Sequence, residues 1–346
     1  MRGVQPGPVE GAALVAAAQA GDEPAFAALA ERHRRELQVH CYRMLGSLED
    51  AEDMVQETLL RAWRRRRSFT GRASFRAWLY GIATNACIDA LRRRPRRVVA
   101  TEAAAPADPA AEIAPRVELP WLQPFPDRLL EAVPDAAPSP HDVLVARETI
   151  ELAFLAAIQN LPPRQRAVLI LRDALGWSAA EAATLIGASV PAVNSALQRA
   201  RATMTSQLPA ERTEWSRGAD APARERSLLG RYMEVLERHD VDALVALLTE
   251  DARIAMPPHP SWFEGRAAVA EFHARNVLVA GIEWRCAATG ANRQPACACY
   301  IRLEGEREFR PFSIDVLRIE DGRIAEITAF LFPELFPAFG LPPTPP

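Results

Sequence analysis

Two all-α segments, the second a helix-turn-helix, followed by an α+β domain: this is the fold class that the 346-residue sequence predicts. Three observations predict it. Apolar residues recur at helical spacing from Ala12 to Arg97 and again from Asp142 to Gln207. Between these segments, Ala100 to Pro140 is rich in Ala and Pro and too poor in core residues to fold alone. From Arg224 the pattern changes to helices followed by alternating segments, the order of an α+β unit. At about 150 residues per domain the length accommodates two or three domains. We place them at 12–97, 142–207 and 224–335, with 98–141 as a linker.

In the first segment, Phe26, Leu29 and Ala30, then Met54, Val55, Leu59 and Ala62, set the helical period, and Arg94-Pro95-Arg96 ends it. Within the linker, Leu119 to Asp127 holds Trp121 and Phe125 in a polyproline-prone stretch, and two such aromatics need a surface to dock on. The second segment breaks at Leu161-Pro162-Pro163 and continues to Leu175. Ser178-Ala179-Ala180-Glu181 is a capping box, Gly187 makes the turn, and Ser189 caps the next helix. A polar stretch from Gln207 to Ala223 forms a second linker. Leu228–His239 and Val241–Leu248 then read as helices, Asp251–Met256 as a strand and Arg266–Asn276 as a helix. Four further segments, near Ile282–Ala288, Ala296–Leu303, Phe309–Ile319 and Arg323–Phe332, complete an antiparallel sheet, with Asp321-Gly322 as a tight hairpin turn.

The net charge is only −3, but it is unevenly placed. Between Arg61 and Arg97 stand twelve arginines against one acid, Asp89, whereas Glu49 to Glu57 carries five acids and no base. Such asymmetry says more about partners than the total does. No lysine occurs, so every side-chain cation but histidine is a guanidinium. The five cysteines are odd in number and at no metal-like spacing. Cys297 and Cys299 would share a strand face, but no second pair completes a zinc site. We therefore expect reduced, packed thiols, no metal and no cofactor, as suits a cytoplasm. No apolar run approaches the ~20 residues of a membrane span, and Met1 to Asp22 lacks the pattern of a signal peptide. A soluble cytoplasmic protein is expected.

Three stretches carry chemistry. Glu49, Asp53, Gln56 and Glu57 share one helix face, either solvated or a docking surface for a basic partner helix. The arginine run leads into Ser68-Phe69-Thr70-Gly71-Arg72, a loop with an exposed aromatic and a flexible glycine. It is followed by an apolar stripe (Phe75, Trp78, Leu79, Ile82, Ala86) and a polar one (Asn85, Asp89, Arg92, Arg96). Aromatics among arginines can stack unpaired bases while guanidiniums track phosphates, and an asparagine amide can read a base edge. In the helix-turn-helix, Val193, Leu197, Ala200 and Met204 form the buried stripe. That leaves Ala192, Asn194, Ser195, Gln198 and Arg199 outward, where Asn and Gln suit adenine, Arg suits guanine or phosphate, and Ala can meet a thymine methyl.

Asp50-Ala51-Glu52-Asp53-Met54-Val55-Gln56-Glu57-Thr58, Phe75 to Arg97 and Trp177 to Met204 resemble bacterial RNA polymerase sigma factors of the extracytoplasmic-function group. The resemblance covers Ala12 to Arg97 and Glu148 to Gln207. It implies that Glu52, Asp53, Gln56 and Glu57 contact core polymerase, whose clamp helices and flap are the expected partners. It implies that Phe69 and its loop, including Arg72, hold with Asn85 a base flipped from the melted −10 element, and that Arg92, Arg93 and Arg96 hold flanking promoter DNA. The helix-turn-helix would read the −35 element. Two departures stand out: the family often has basic residues where Asn194 and Ala196 stand, and it usually ends soon after this domain. The C-terminal extension resembles the SnoaL-like branch of the nuclear-transport-factor-2 fold, a curved sheet wrapped by helices around a cone-shaped pocket, and the Trp121–Asp127 patch resembles the linker of sigma factors bearing it.

Relatives of that fold use a pocket Asp, His or Tyr as acid or base. Asp251, His259, Tyr300 and Asp315 are the candidates, at no diagnostic spacing, and His259, Trp262, Phe263, Trp284 and Phe312 are candidate pocket residues. We expect no catalysis, and a domain that regulates the helical half in cis through an intramolecular contact. The alternative is a small-molecule sensor or enzyme with a conventional helix-turn-helix module. The acidic helix before the arginine run has no purpose in such a protein.

Overall fold

The computed structural model describes residues 8–70, 74–93, 95–130, 150–207 and 221–346, with backbone alone for 8–12 and 221–222. The expected helix start at Asp142, most of the second linker and the 131–141 end of the first linker lie outside the described residues. The chain divides into two compact units, one of Met1–Arg96 with Leu129–Pro209, the other of Arg97–Arg128 with Ala210–Pro346.

The first unit is helical: α1 (Pro8–Ala20), α2 (Glu23–Leu45), α3 (Leu48–Arg65), α4 (Phe75–Arg93), α5 (Leu152–Ile158), α6 (Pro163–Leu169, running into a π turn over Ile170–Ala174), α7 (Ala179–Ile186) and α8 (Val190–Gln207). Local chemistry sets the ends. Asp22 Oδ1 accepts from Ala25 N at the start of α2, and Gly46 closes that helix at φ 68°. The capping box of α7 forms as expected: Ser178 N donates to Glu181 Oε2 at 2.8 Å and Glu181 N to Ser178 Oγ at 3.2 Å. Gly187 takes φ 62°, and Ser189 Oγ accepts from Ala192 N at the head of α8.

The two helical segments, expected as separate domains, pack together in this unit. Arg166 of α6 joins them. It is 2% exposed, and its Nη1 donates to the Met44 carbonyl of α2 at 2.6 Å and to Gln159 Oε1 at 2.8 Å. Its Nη2 donates to the Gln159 carbonyl at 2.8 Å. Burial lowers the guanidinium pKa to about 10, which still leaves it charged at neutral pH.

The second unit holds α9 (Ala221–Arg238), α10 (Val241–Leu247), α11 (Arg266–Asn276) and six strands: β1 (Leu248–Ala255), β2 (Trp262–Glu264), β3 (Ile282–Ala291), β4 (Gln294–Leu303), β5 (Arg310–Glu320) and β6 (Arg323–Phe330). The sheet order is β2-β1-β6-β5-β4-β3. An antiparallel sheet was expected; the sheet is mixed, because β1 pairs parallel with β6. β1 follows α10 and is joined to β6 by a long crossover, which no hairpin constrains to antiparallel pairing. The Asp321-Gly322 turn forms as read, with φ 48° and 75°. The β3–β4 turn uses the same left-handed pair at Asn292 (φ 58°) and Arg293 (φ 60°), with no glycine to announce it.

The linker is the largest departure from expectation, since residues 97–128 fold as part of this unit. Composition gives the segment no core of its own, and it borrows one. Trp121 and Ala100 are buried with Ala255 and Trp262 in a small apolar cluster flanked by Val98, Val117 and Phe332. Phe125 is fully buried; its N–H donates to Asn292 Oδ1 at 2.8 Å, and its carbonyl accepts from Asn292 N at 2.9 Å. Asp127 Oδ1 accepts from Arg293 N at 2.7 Å. Gly290 makes room for this, because a Cβ there would lie 2.6 Å from Asp127 Oδ2. Burying one such aromatic is worth about 4 kcal/mol before ordering costs.

Trp121→Ala is expected to release the segment at a loss of about 3–5 kcal/mol. Limited proteolysis checks this: cleavage within 97–128 should accelerate while the sheet domain stays intact. Unchanged protection would mean that Trp121 does not hold the linker.

Candidate nucleic-acid interface

The acidic face is built on α3. Ser47 caps it, and Glu49 and Asp50 sit in its first turn, where the helix dipole favours them. Ala51, Val55, Thr58 and Ala62 turn inward, leaving Glu52, Asp53 and Gln56 exposed and Glu57 half-buried. Glu52 Oε1 accepts from Gln38 Nε2 at 3.1 Å and Glu57 Oε1 from Arg61 Nε at 2.6 Å. One residue on this face escaped the sequence reading. Leu60 is 43% exposed, four positions after Gln56 and so beside it on the helix. A leucine among the polar positions of an amphipathic helix was the available signal.

The second surface surrounds α4. Phe69 was expected as an exposed base trap; it is buried instead, with ring centroids 5.7 Å from Phe75 and 5.4 Å from Trp78. Phe26 extends this aromatic cluster to Trp63 at 5.2 Å. Rings this close exchange water for one another, which outweighs leaving any one of them open. Arg72 lies outside the described residues. Asn85 is exposed, but its Nδ2 donates to the Gly81 carbonyl at 2.8 Å and to the Leu185 carbonyl of α7 at 3.0 Å. Gly81 permits that approach, since a Cβ would stand 3.2 Å from Leu185 Cδ2. Arg92 lies 3.6 Å from Asp89, Arg93 is exposed, and Arg96 donates to Asn160 Oδ1.

Beneath α4 lies a polar network. Arg76 Nε donates to Glu36 Oε2 at 2.6 Å, and its guanidinium lies 4.8 Å from the Tyr80 ring centre and 5.5 Å from that of Trp177. Burial pushes the Glu36 carboxyl up, but hydrogen bonds from His33 and Arg76 more than reverse this and hold it low. His40 is wholly buried with Nε2 2.9 Å from Thr84 Oγ1, and burial, then Arg43 and Arg76, depress its pKa to about 3.

The third surface is the outward face of α8. Ala192, Asn194, Ser195, Gln198 and Arg199 are all exposed, while Val193, Leu197, Ala200 and Met204 are buried, joined by Ala196. Ala196 therefore offers no outward position for a cation. Val190, 40% exposed at the head of the helix, adds an apolar contact point that the sequence reading missed. Arg201 locks the helix by two bonds to Asp173, at 2.9 and 2.6 Å.

In the second unit the five candidate pocket residues divide between the main core, which takes Phe263, Trp284 and Phe312, and contacts with the linker, which take His259 and Trp262. Phe263 stacks on Phe272 at 4.5 Å in the main core. Trp284 donates to the Val277 carbonyl and meets Phe312 edge-on at 5.6 Å. Trp262 and His259 serve the linker instead: Trp262 Nε1 donates to the Ala104 carbonyl and His259 Nδ1 to that of Ala114, both at 2.8 Å. Of the acid–base candidates, Asp251 is exposed and Tyr300 donates to the Pro342 carbonyl. Asp315 is buried; its Oδ2 accepts from Tyr232 and its Oδ1 from Ser313.

Family models match this geometry in three places: Sigma-70 region 2 over residues 29–97, Sigma-70 region 4 over 151–204, and a SnoaL-like domain over 229–327. The chain is 45% identical over 336 residues to the ECF RNA polymerase sigma factor SigG of Mycobacterium tuberculosis, covering 95% of this chain and 88% of that one. It is 29% identical over 188 residues to the ECF RNA polymerase sigma factor SigW of Bacillus subtilis, over 54% of this chain and 91% of the relative. The crystal structure of the extracytoplasmic function sigma factor SigJ of M. tuberculosis shares the fold, with a TM-score of 0.56 at 21% identity, covering 92% of this chain and 99% of that one.

The neutral, buried His40 sets an acid limit on the first unit. Its folded pKa of about 3 lies below the ordinary value of 6.5. Its contribution is therefore complete above that value and declines as pH falls from 6.5 towards 3, where the unfolded chain binds the extra proton. Between pH 7 and 5 this group should remove about 2 kcal/mol. Urea unfolding at both pH values should show that difference shrinking in His40→Gln; an unchanged difference would mean that His40 titrates normally.

Proposed function

Because the chain belongs to the extracytoplasmic-function RNA polymerase sigma factors, which direct polymerase to promoters, we propose a division of labour among its three helical surfaces and its C-terminal unit. The outward face of α8 carries the reading: a capped, turned and locked helix presents five base-reading or phosphate-binding side chains and buries Val193, Ala196, Leu197, Ala200 and Met204. Asn194 and Gln198 suit adenine edges of the −35 element, Arg199 a guanine or phosphate, and Ala192 with Val190 thymine methyls. Region 2 (12–97) and region 4 (142–207) act as the two promoter-binding domains, and 224–335 as the regulatory one.

Glu52, Asp53, Gln56 and Glu57 dock the polymerase clamp helices, with Leu60 as the apolar centre that a purely acidic face lacks. Asn85 reads a melted −10 base, and Arg72, Arg92, Arg93 and Arg96 hold its flanks. Phe69 supports that loop from beneath rather than stacking on the base. Since the Asn85 donor is engaged by the Leu185 carbonyl, −10 reading requires α7 to leave α4. The compact first unit is then the resting form, and the promoter-engaged form is open.

The C-terminal unit is a regulator in cis and not an enzyme, and the protein works in the cytoplasm beside polymerase. The support is the path of the chain: residues 97–128, which connect the two promoter-binding halves, are built into the C-terminal unit. Their docking sets how far the halves can part.

Pull-down of core polymerase with wild-type protein and with an Asp53→Arg, Glu57→Arg variant tests the clamp surface; loss of binding in the variant is expected, and retained binding overturns the assignment. Gln198→Ala should cost about 1–3 kcal/mol of discrimination at one −35 position in a binding titration. Deleting residues 224–346 should change promoter-dependent transcription, and an unchanged rate would remove the regulatory role.

A further inference from the structure

The sheet of the C-terminal unit brings together three cysteines that the sequence leaves apart. Cys297 and Cys299 of β4 are two residues apart and so share a face. The register sets Cys286 of β3 directly opposite Cys299, and Asp315 of β5 directly opposite Cys297. The three sulfurs lie within 4.8 Å of one another, with Cys297 Sγ 3.5 Å from Cys299 Sγ. Cys299 Sγ lies 3.5 Å from Asp315 Oδ2. Cys297, Cys299 and Asp315 are buried, whereas Cys286 is half-buried.

We propose that Cys286, Cys297, Cys299 and Asp315 form a binding site for a single Zn2+ ion. Zn–S bonds of about 2.3 Å and a Zn–O bond of about 2.0 Å in a tetrahedron separate two sulfurs by about 3.8 Å and a sulfur from the oxygen by about 3.5 Å. The Cys297–Cys299 and Cys299–Asp315 separations, both 3.5 Å, already lie within tenths of an ångström of those distances, and Cys286, within 4.8 Å of the other sulfurs, has to close in by up to about 1 Å. Thiolates select soft cations such as Zn2+ and Cu+, and a carboxylate as fourth ligand favours Zn2+. The outer groups are in place too: the Tyr232 hydroxyl donates to Asp315 Oδ2 at 2.8 Å and the Ser313 hydroxyl to Oδ1 at 2.7 Å, which orients the carboxylate.

Binding converts three thiols to thiolates, and their protons leave to solvent. The ion would tie β3, β4 and β5 together, and through Asp315 and Tyr232 would join them to α9.

The test uses reduced, metal-free full-length protein titrated with Zn2+ against a chromophoric chelator, and with Co2+ as a spectroscopic substitute. One ion per chain is expected, with thiolate-to-cobalt charge-transfer absorption, tetrahedral d–d bands and a rise in the thermal unfolding midpoint on zinc addition. Cys286→Ser and Cys299→Ser should abolish the charge-transfer band or weaken binding by more than a hundredfold, and Asp315→Asn by about tenfold. Cys41→Ser, outside the cluster, should change nothing. Cys286→Ser, at the half-buried position, keeps the test open if Cys299→Ser fails to fold. Absence of the thiolate band, or equal affinity in wild type and Cys286→Ser, overturns the site. Preference for Cu+ with no effect of Asp315→Asn overturns the zinc assignment.

Discussion

The helical unit depends on one buried guanidinium. Arg166 donates to carbonyls of two elements, Met44 at the end of α2 and Gln159 after α5, from a position water does not reach. Those carbonyls are orphans of helix ends and would otherwise need solvent. Removing one partner of a buried charged hydrogen-bond set costs about 3–5 kcal/mol, because the groups left behind stay buried and unsatisfied. A charge in this position contributes less to net stability than to specifying one arrangement of α6 on α2. The rest of the contact follows from that placement: Trp177 comes within 5.5 Å of Tyr80, and the Leu185 carbonyl reaches Asn85.

These contacts are unequal, and the inequality bears on the opening proposed above. A neutral bond such as that from Asn85 to Leu185 contributes roughly 1 kcal/mol net. A single base contact of comparable geometry can replace it. Arg166 cannot be released so cheaply, so under that proposal the contacts assigned to α3 would have to supply the difference. Opening at Asn85 and release at Arg166 would then be separable events. Meanwhile the outward face of α8 needs neither, since its five polar and small residues are exposed in the compact form.

Much of this was legible in the sequence where local chemistry decides the outcome. The capping box at Ser178, the turn at Gly187, the buried stripe from Val193 to Met204 and the Asp321-Gly322 hairpin each rest on a few neighbouring residues, and each formed as read. What escaped depends on distant partners. Phe69 looked exposed because its loop is polar; Phe75 and Trp78, which bury it, stand on another element. The β3–β4 turn was invisible because Arg293 adopts a left-handed conformation that glycine normally advertises. The cysteine cluster is a matter of register, since the pairing of Cys286 with Cys299 cannot be counted from spacing.

The linker is the deepest case, because its composition and the docking of its two aromatics were read correctly, but not how much of the segment would fold with them. An Ala/Pro-rich segment cannot make a core, but Trp121 and Phe125 allow it to complete one on another domain. The consequence is a matter of length. Residues 97–128 run from the end of the Sigma-70 region 2 match towards the region 4 match, so the sheet domain that holds them takes that length of slack out of the chain between those two matches. A free segment of that length would reach about 110 Å when extended, whereas a docked one has only its fixed span. That difference is why the proposed regulatory role is assigned to the docking itself rather than to any surface that touches DNA.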